Sequence, residues 1–209
     1  MKLYDYTMAP SPRRARMFLA EKGLEPEIVQ VDLRASAQLK PEFLAINPQA
    51  TVPVLVLDDG QAITENLAIA AYLEAAYPEP PLLGTTPLEK ARVLQWNSRA
   101  EFEGLLAVAE VLRNGHPAFA KRAITGTDDY EQIPQLAERG RARVGRFWGV
   151  LEQRLAQSPF VSGERFGMAD ITAVVAVDFA KVVRLAPPES CTSIRRWHEA
   201  MRARPSYGA

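Results

Sequence analysis

Ten residues decide how this chain is divided: Pro78-Glu79-Pro80-Pro81-Leu82-Leu83-Gly84-Thr85-Thr86-Pro87. Four of them are prolines, each with a fixed φ and no backbone donor, so neither a helix nor a central strand continues through the stretch. Before it, apolar runs of strand length alternate with helical spacing; after it, the strand signals stop. Two units are therefore expected, residues 1–78 and 88–209, joined by a linker over 79–87. With 209 residues, 47% of them apolar and 24% charged, the chain is globular in composition. A chain of this size buries roughly 70% of its unfolded surface and needs no metal or disulfide staple. The single cysteine, Cys191, can form neither an internal bridge nor a zinc cluster, which points to a reducing, cytoplasmic setting. Twenty-five Lys and Arg balance twenty-five Asp and Glu, so no global field draws the chain to nucleic acid or to an anionic membrane. No stretch approaches the ~20 apolar residues of a spanning helix, and MKLYDYTMAPSPRR lacks a signal-peptide core, so the mature chain is expected to begin at Met1.

In the first unit, Leu3, Tyr4 and Tyr6 open a strand, and Pro10-Ser11-Pro12 punctuates it before a helix carrying Ala15, Met17, Phe18, Leu19 and Ala20. Ser11 is expected as the N-cap with Pro12 at the first helical position, and Gly23 as the left-handed residue at the helix end. Glu27 to Val31 is a second strand and Pro41 to Ile46 a short helix. Thr51 to Leu57, a tight turn at Asp58-Asp59-Gly60 and Gln61 to Ile63 form an antiparallel hairpin. A helix from Thr64 to Tyr77 presents Leu67, Ala70, Ala71, Leu73 and Ala75 on one side. The order βαβαββα in about 80 residues is thioredoxin-like topology, an α/β unit. The second unit reads as an all-α bundle: Leu88 to Leu112, Leu136 to Leu155, Met168 to Val183 and Ser193 to Arg204. Val144, Phe147, Trp148, Leu151 and Leu155 share one helix face, which leaves Arg139, Arg141, Arg143 and Arg146 as a solvated face without the interleaved aromatics of a nucleic-acid patch. Gly167 and Asp170 mark a helix start, with Phe166 stapled onto Ile171.

Four segments, taken together, carry a likeness: 45–55 (AINPQATVPVL), 63–69 (ITENLAI), 19–24 (LAEKGL) and 163–171 (GERFGMADI). The chain resembles the glutathione S-transferase superfamily of cytosolic type over nearly its whole length. The resemblance implies glutathione as co-substrate with no metal, and a glutathione thiolate attacking a small electrophile in the cleft between the units. It implies a cis Val52-Pro53 bond whose main chain meets the ligand cysteine, and Glu65 and Asn66 holding the γ-glutamyl ammonium and carboxylate. Gln38 or Lys40 would meet the glycyl carboxylate, and a homodimer is expected.

Three positions depart from the superfamily's pattern: Gly167 stands where Ser or Thr is usual, Asn66 where Ser is common, and Ala9 at the first-turn position that usually carries Ser, Tyr or Cys. The chain thus resembles a bacterial or fungal branch without that donor. Ser11, two residues on, is the catalytic candidate: it either donates to the sulfur or caps the helix while backbone N–H groups stabilise the thiolate. With no cysteine in the first 190 residues, a mixed-disulfide step on the chain itself is excluded. Ala9, Leu106, Ala109 and Arg113 are the expected electrophile-pocket residues, His116 reads as a loop residue, and His198 as packing or surface. Rival readings on the same scaffold are a non-catalytic binding or regulatory protein, and a glutathione-dependent isomerase, dehalogenase or peroxidase.

Overall fold

The structure is a computed structural model that describes residues 1–209. Strand β1 (Lys2–Asp5) is followed by helix α1 (Pro10–Glu21), strand β2 (Glu27–Gln30) and the short helix α2 (Pro41–Leu44). Strands β3 (Val54–Val56) and β4 (Ala62–Thr64) and helix α3 (Asn66–Ala76) complete the first half. The sheet order is β2-β1-β3-β4, with β1 parallel to β2 and antiparallel to β3, and β3 antiparallel to β4. This is the βαβαββα arrangement expected from the sequence. The hairpin closes at Asp58-Asp59-Gly60 as anticipated, with the Leu57 N–H donating to the Gln61 carbonyl (2.9 Å) and the Gly60 N–H to the Leu57 carbonyl (3.0 Å). Period-two alternation sets the two faces. Leu3 and Leu55 pair in register and pack with Phe18 of α1 and Ile69 and Leu73 of α3, while Val54 faces Val31 and Phe43 in a small cluster on the other side.

Helix α1 begins earlier than the sequence suggested. Pro10 is its first residue and Ala9 the N-cap, so Ser11 lies within the first turn and caps nothing. Both prolines fit there because the first-turn N–H groups have no acceptor within the helix and the proline φ is already helical.

The proline-rich stretch is held by one buried lysine. The Lys22 ammonium donates to the carbonyls of Tyr77 (2.8 Å) and Pro80 (2.7 Å) and pairs with Glu74. Glu74 in turn accepts from the Leu82 and Leu83 N–H groups at 3.1 and 2.8 Å. Backbone groups that no helix or sheet can satisfy thus find charged partners. Glu79-Pro80 is cis.

Every later element is helical: α4 (Pro87–Arg99), α5 (Leu106–Gly115), α6 (Pro134–Ala156), α7 (Met168–Ala180) and α8 (Thr192–Arg202). The single helix expected over 88–112 is broken by a π-helical turn at Ala100–Leu105. There Gly104 lies so close to Phe147 of α6 that a Cβ would sit 2.7 Å from the ring, so the turn admits α6 only with glycine at that position. Helix α7 is buried on almost every side, and α1 packs against it, joining the two halves through one continuous core. No helix is long and apolar enough to cross a membrane.

Candidate functional site

The first turn of α1 has few donors left to offer. Of its four leading positions, Pro10 and Pro12 carry no N–H and the Ala9 N–H is used by the Tyr6 carbonyl (2.8 Å). The Ser11 N–H is the remaining main-chain donor, and the Ser11 hydroxyl stands beside it. Behind them lies Arg14, only 3% exposed. Its Nη1 donates to Glu101 Oε1 of the π turn (2.8 Å) and its Nη2 to Ser11 Oγ (3.4 Å). With its oxygen accepting from a guanidinium, the Ser11 hydroxyl keeps its own proton free to donate. Sequence reasoning missed Arg14 and Glu101. Nothing local marks a buried arginine whose partner is 87 residues away.

The Val52-Pro53 bond is cis, as the resemblance implied, and neither the N–H nor the C=O of Val52 pairs with another backbone group. Glu65 and Asn66 flank the start of α3. Glu65 is the N-cap residue but has φ +65 and makes no side-chain cap hydrogen bond, and its carboxylate is exposed. A non-glycine residue at positive φ is a strained conformation that surrounding structure must impose. Asn66 is 6% exposed and its Oδ1 has no donor. Gln38 is 3% exposed, in a 3-10 turn (Ala37–Leu39), with Oε1 likewise unpartnered, and Lys40 next to it is exposed and in no ion pair. Buried polar atoms are rarely left unpaired in a native fold, and both of these are acceptors, so each is open to a donor from solvent or from a ligand.

On the helical side, α5 turns Ala107, Val108 and Val111 into the core, and Leu106, Ala109 and Arg113 stand on the opposite face. Leu106 is 46% exposed, and Met8 and Phe102 are exposed apolar side chains from the β1–α1 loop and the π turn. A hollow between α4, the proline-rich stretch and residues 162–166 includes none of these residues.

Other candidates resolve as structural. Asp170 is fully buried and accepts from Val161 N–H (2.8 Å), Trp197 Nε1–H (2.9 Å) and Gly167 N–H (3.2 Å). Burial pushes its carboxyl up to about 6 despite those donors. His116 Nδ1 accepts from the Ala118 N–H (3.2 Å) in an exposed turn, which agrees with a loop role. His198 bonds Asp178 (2.9 Å) rather than facing solvent freely. Cys191 sits at the α8 start, where burial and Glu152 push its thiol up, away from thiolate chemistry.

A four-stranded thioredoxin-like unit with a cis-proline edge, backed by a helical bundle, defines the class of two-unit proteins that present a peptide edge to a cleft. The N-terminal domain family of glutathione S-transferases matches residues 9–76, and their C-terminal domain family matches residues 134–200. The chain belongs to the glutathione S-transferase family. It is 37% identical to glutathione S-transferase 2 of Saccharomyces cerevisiae over 208 residues, covering 99% of this chain and 87% of that one. The crystal structure of Gtt2 from Saccharomyces cerevisiae superposes with a TM-score of 0.91 at 37% identity, covering 100% of this chain and 99% of that one. A maleylacetoacetate isomerase of Pseudomonas aeruginosa is 31% identical over 214 residues, 99% of this chain and 93% of that one.

Proposed function

We propose that this chain is a glutathione transferase of two units, 1–78 and 88–209 with a linker at 79–87, which joins the glutathione sulfur to a small electrophile between them. Glutathione lies along Val52 and Pro53, its γ-glutamyl carboxylate on Asn66 and the first turn of α3, its ammonium on Glu65, and its glycyl carboxylate on Gln38 or Lys40. The free main-chain groups of Val52 carry this reading, and the unpartnered Asn66 Oδ1, an acceptor, is open to the γ-glutamyl ammonium while the Asn66 side-chain N–H takes the carboxylate. The sulfur then reaches the start of α1, where the Ser11 hydroxyl and N–H replace the donor that Ala9 cannot supply. The thiol proton passes to solvent, the thiolate attacks the electrophilic carbon, a C–S bond forms and the leaving group departs with its electron pair. Ala9, Leu106, Ala109 and Arg113 line the electrophile side.

Homodimer assembly, a cytoplasmic location and a role in detoxification accord with this family and remain part of the proposal; sedimentation tests the first. Calorimetric titration with glutathione, followed by conjugation of an aromatic halide, tests the function. Saturable binding with product formation is expected, and no binding overturns the reading. Binding without turnover on any aromatic halide favours a different glutathione reaction, such as the isomerisation named for the Pseudomonas relative.

A further inference from the structure

The segment after α5 folds back over the first unit. A 3-10 turn (Pro117–Phe119) places the Phe119 ring under the Arg113 guanidinium, 5.0 Å from centroid to carbon. A bridge joins Arg122 to Tyr130, and Arg122 Nη1 reaches the hydroxyl of Ser36 (3.4 Å), two residues before Gln38. Farther along, the segment passes the Gln49 carbonyl, which a Cβ on Gly126 would meet at 3.9 Å. Two of the contacts between the helical half and the first unit flank the proposed glutathione path: Glu101 on Arg14 beside Ser11, and Arg122 on Ser36 beside the glycyl end. Leu106, Ala109 and Arg113 lie on the stretch of chain between them.

Arg113 and Arg122 are both half-buried, and neither has a carboxylate within salt-bridge distance, although Asp128, Asp129 and Glu131 occur on the same segment, all exposed. Of the other buried and half-buried arginines, five pair with a carboxylate, Arg13 with Asp178, Arg14 with Glu101, Arg16 with Asp5, Arg143 with Glu110 and Arg204 with Glu21, and Arg154 gives its Nε–H to the Val161 carbonyl (2.8 Å). Arg113 Nε is fully buried with no acceptor. Burial, and then the Arg122 charge, pull the Arg113 guanidinium below its usual range. A guanidinium does not shed its proton to relieve such a site, so the uncompensated cost is offset by an anion. Glutathione brings one carboxylate to this end, and Gln38 and Lys40 already face it in the proposed pose.

Building on that pose, we infer that Arg113 and Arg122 form a second carboxylate-binding subsite and that the electrophile is a small molecule with an apolar body and a carboxylate. The body rests on Leu106, Ala109 and the Phe119 ring, and the planar forks of the two arginines take the carboxylate.

The test compares two product analogues by calorimetry, S-benzylglutathione and S-(4-carboxybenzyl)glutathione, with glutathione alone as the reference ligand. The unmodified protein is expected to bind the carboxylated analogue about tenfold more tightly, as a charge-assisted pair implies. Arg113→Gln and Arg122→Gln remove that preference while glutathione affinity stays within about twofold, and Arg113→Lys keeps part of it. Equal affinity of the unmodified protein for the two analogues overturns the inference and leaves the transferase reading standing. So does a parallel loss of glutathione affinity in both Gln variants, which assigns the arginines to the glycyl carboxylate. If glutathione itself does not bind, the transferase reading fails and the subsite falls with it.

Discussion

At the scale of single residues, catalysis is concentrated on one serine because its neighbours are silent. Ala9 has no hydroxyl, Pro10 and Pro12 have no N–H, and the Ala9 amide is spent on Tyr6. Ser11→Ala removes the hydroxyl and leaves the Ser11 N–H and the helix dipole, so kcat for conjugation should fall about tenfold, near 1.4 kcal/mol. The ultraviolet absorbance of bound glutathione thiolate, followed against pH, should show a raised thiol pKa in the same variant. An unchanged pKa would assign the thiolate to the N–H and the dipole alone. Ser11 was visible as a candidate from the helix start it sits in, whereas Val52, Pro53, Glu65 and Asn66 were legible only through the segments 45–55 and 63–69 that carry the family resemblance. Local pattern misplaced Ser11 as a cap because a serine before a proline looks like a helix start in isolation, whereas two prolines two apart both fit one first turn. Arg14, Glu101 and Arg122 had no local signature at all, since each owes its role to a partner brought close only by the packing of the two halves.

At the scale of elements, the α7 start closes without a side-chain cap at Gly167, its Asp170 N–H bonding the Gly167 carbonyl (2.9 Å). The Met168 N–H, which a serine side chain would not reach, bonds the Leu82 carbonyl (3.0 Å), and Asp170 accepts from the Gly167 N–H. A Cβ at Gly167 would lie 2.6 Å from that same carbonyl. The superfamily's usual Ser therefore cannot be restored without moving the proline-rich stretch. Gly167→Ser should destabilise by about 1–3 kcal/mol in urea unfolding, although cap preference alone would have it stabilise. A gain in stability would show that the stretch yields freely. Asp170→Ala strands three donors in the core, the Val161 and Gly167 N–H groups and Trp197 Nε1–H, and should cost about 2–4 kcal/mol. Turnover per folded molecule should be preserved, because Asp170 touches no part of the glutathione path; intact melting with lost turnover would contradict the structural role. The helix start was legible from Phe166 to Ile171, but the π turn was not. It brings Gly104 against Phe147, a contact between helices about 40 residues apart in sequence that periodicity does not encode.

At the scale of the whole molecule, two charged clusters tie the halves together and give the fold a definite response to acid. Asp178 of α7 accepts from Arg13 of α1 (2.8 Å), Tyr207 Oη (2.8 Å) and Lys181 (2.7 Å), and bonds His198 of α8 (2.9 Å). Glu21 of α1 holds Arg204 through two hydrogen bonds, and Ser206 through a third. Burial alone would raise the Asp178 carboxyl, but the hydrogen bonds from His198, Lys181, Arg13 and Tyr207 outweigh it and hold the group well below the usual range. Glu21 is lowered in the same way, chiefly by Arg204 and Ser206 against its own burial. A carboxyl whose folded pKa lies below its unfolded value contributes stability that is present above about pH 4 and is lost as the pH falls further. Asp170 runs the other way: raised to about 6 by burial, its ionised form costs stability above that pH, and the cost disappears as the pH falls towards about 4. Between about pH 6 and 4 stability should therefore hold or rise, and below about 4 it should collapse as the two clusters protonate. Asp178→Asn should cost about 2 kcal/mol at pH 7, where Arg13 is left without its partner, and the difference from the unmodified protein should begin to shrink below about pH 4 and keep shrinking as the pH falls towards the depressed folded-state pKa. Urea denaturation at three pH values measures this directly. Because Asp178 and Glu21 bridge α1 to the helical half, the unmodified chain should unfold in a single transition, and Asp178→Asn combined with Glu21→Gln should separate the melting of the sheet from that of the bundle. A variant that still melts in one step, with a pH-independent loss, would place the coupling in the apolar contact of α1 with α7 instead of in the charges.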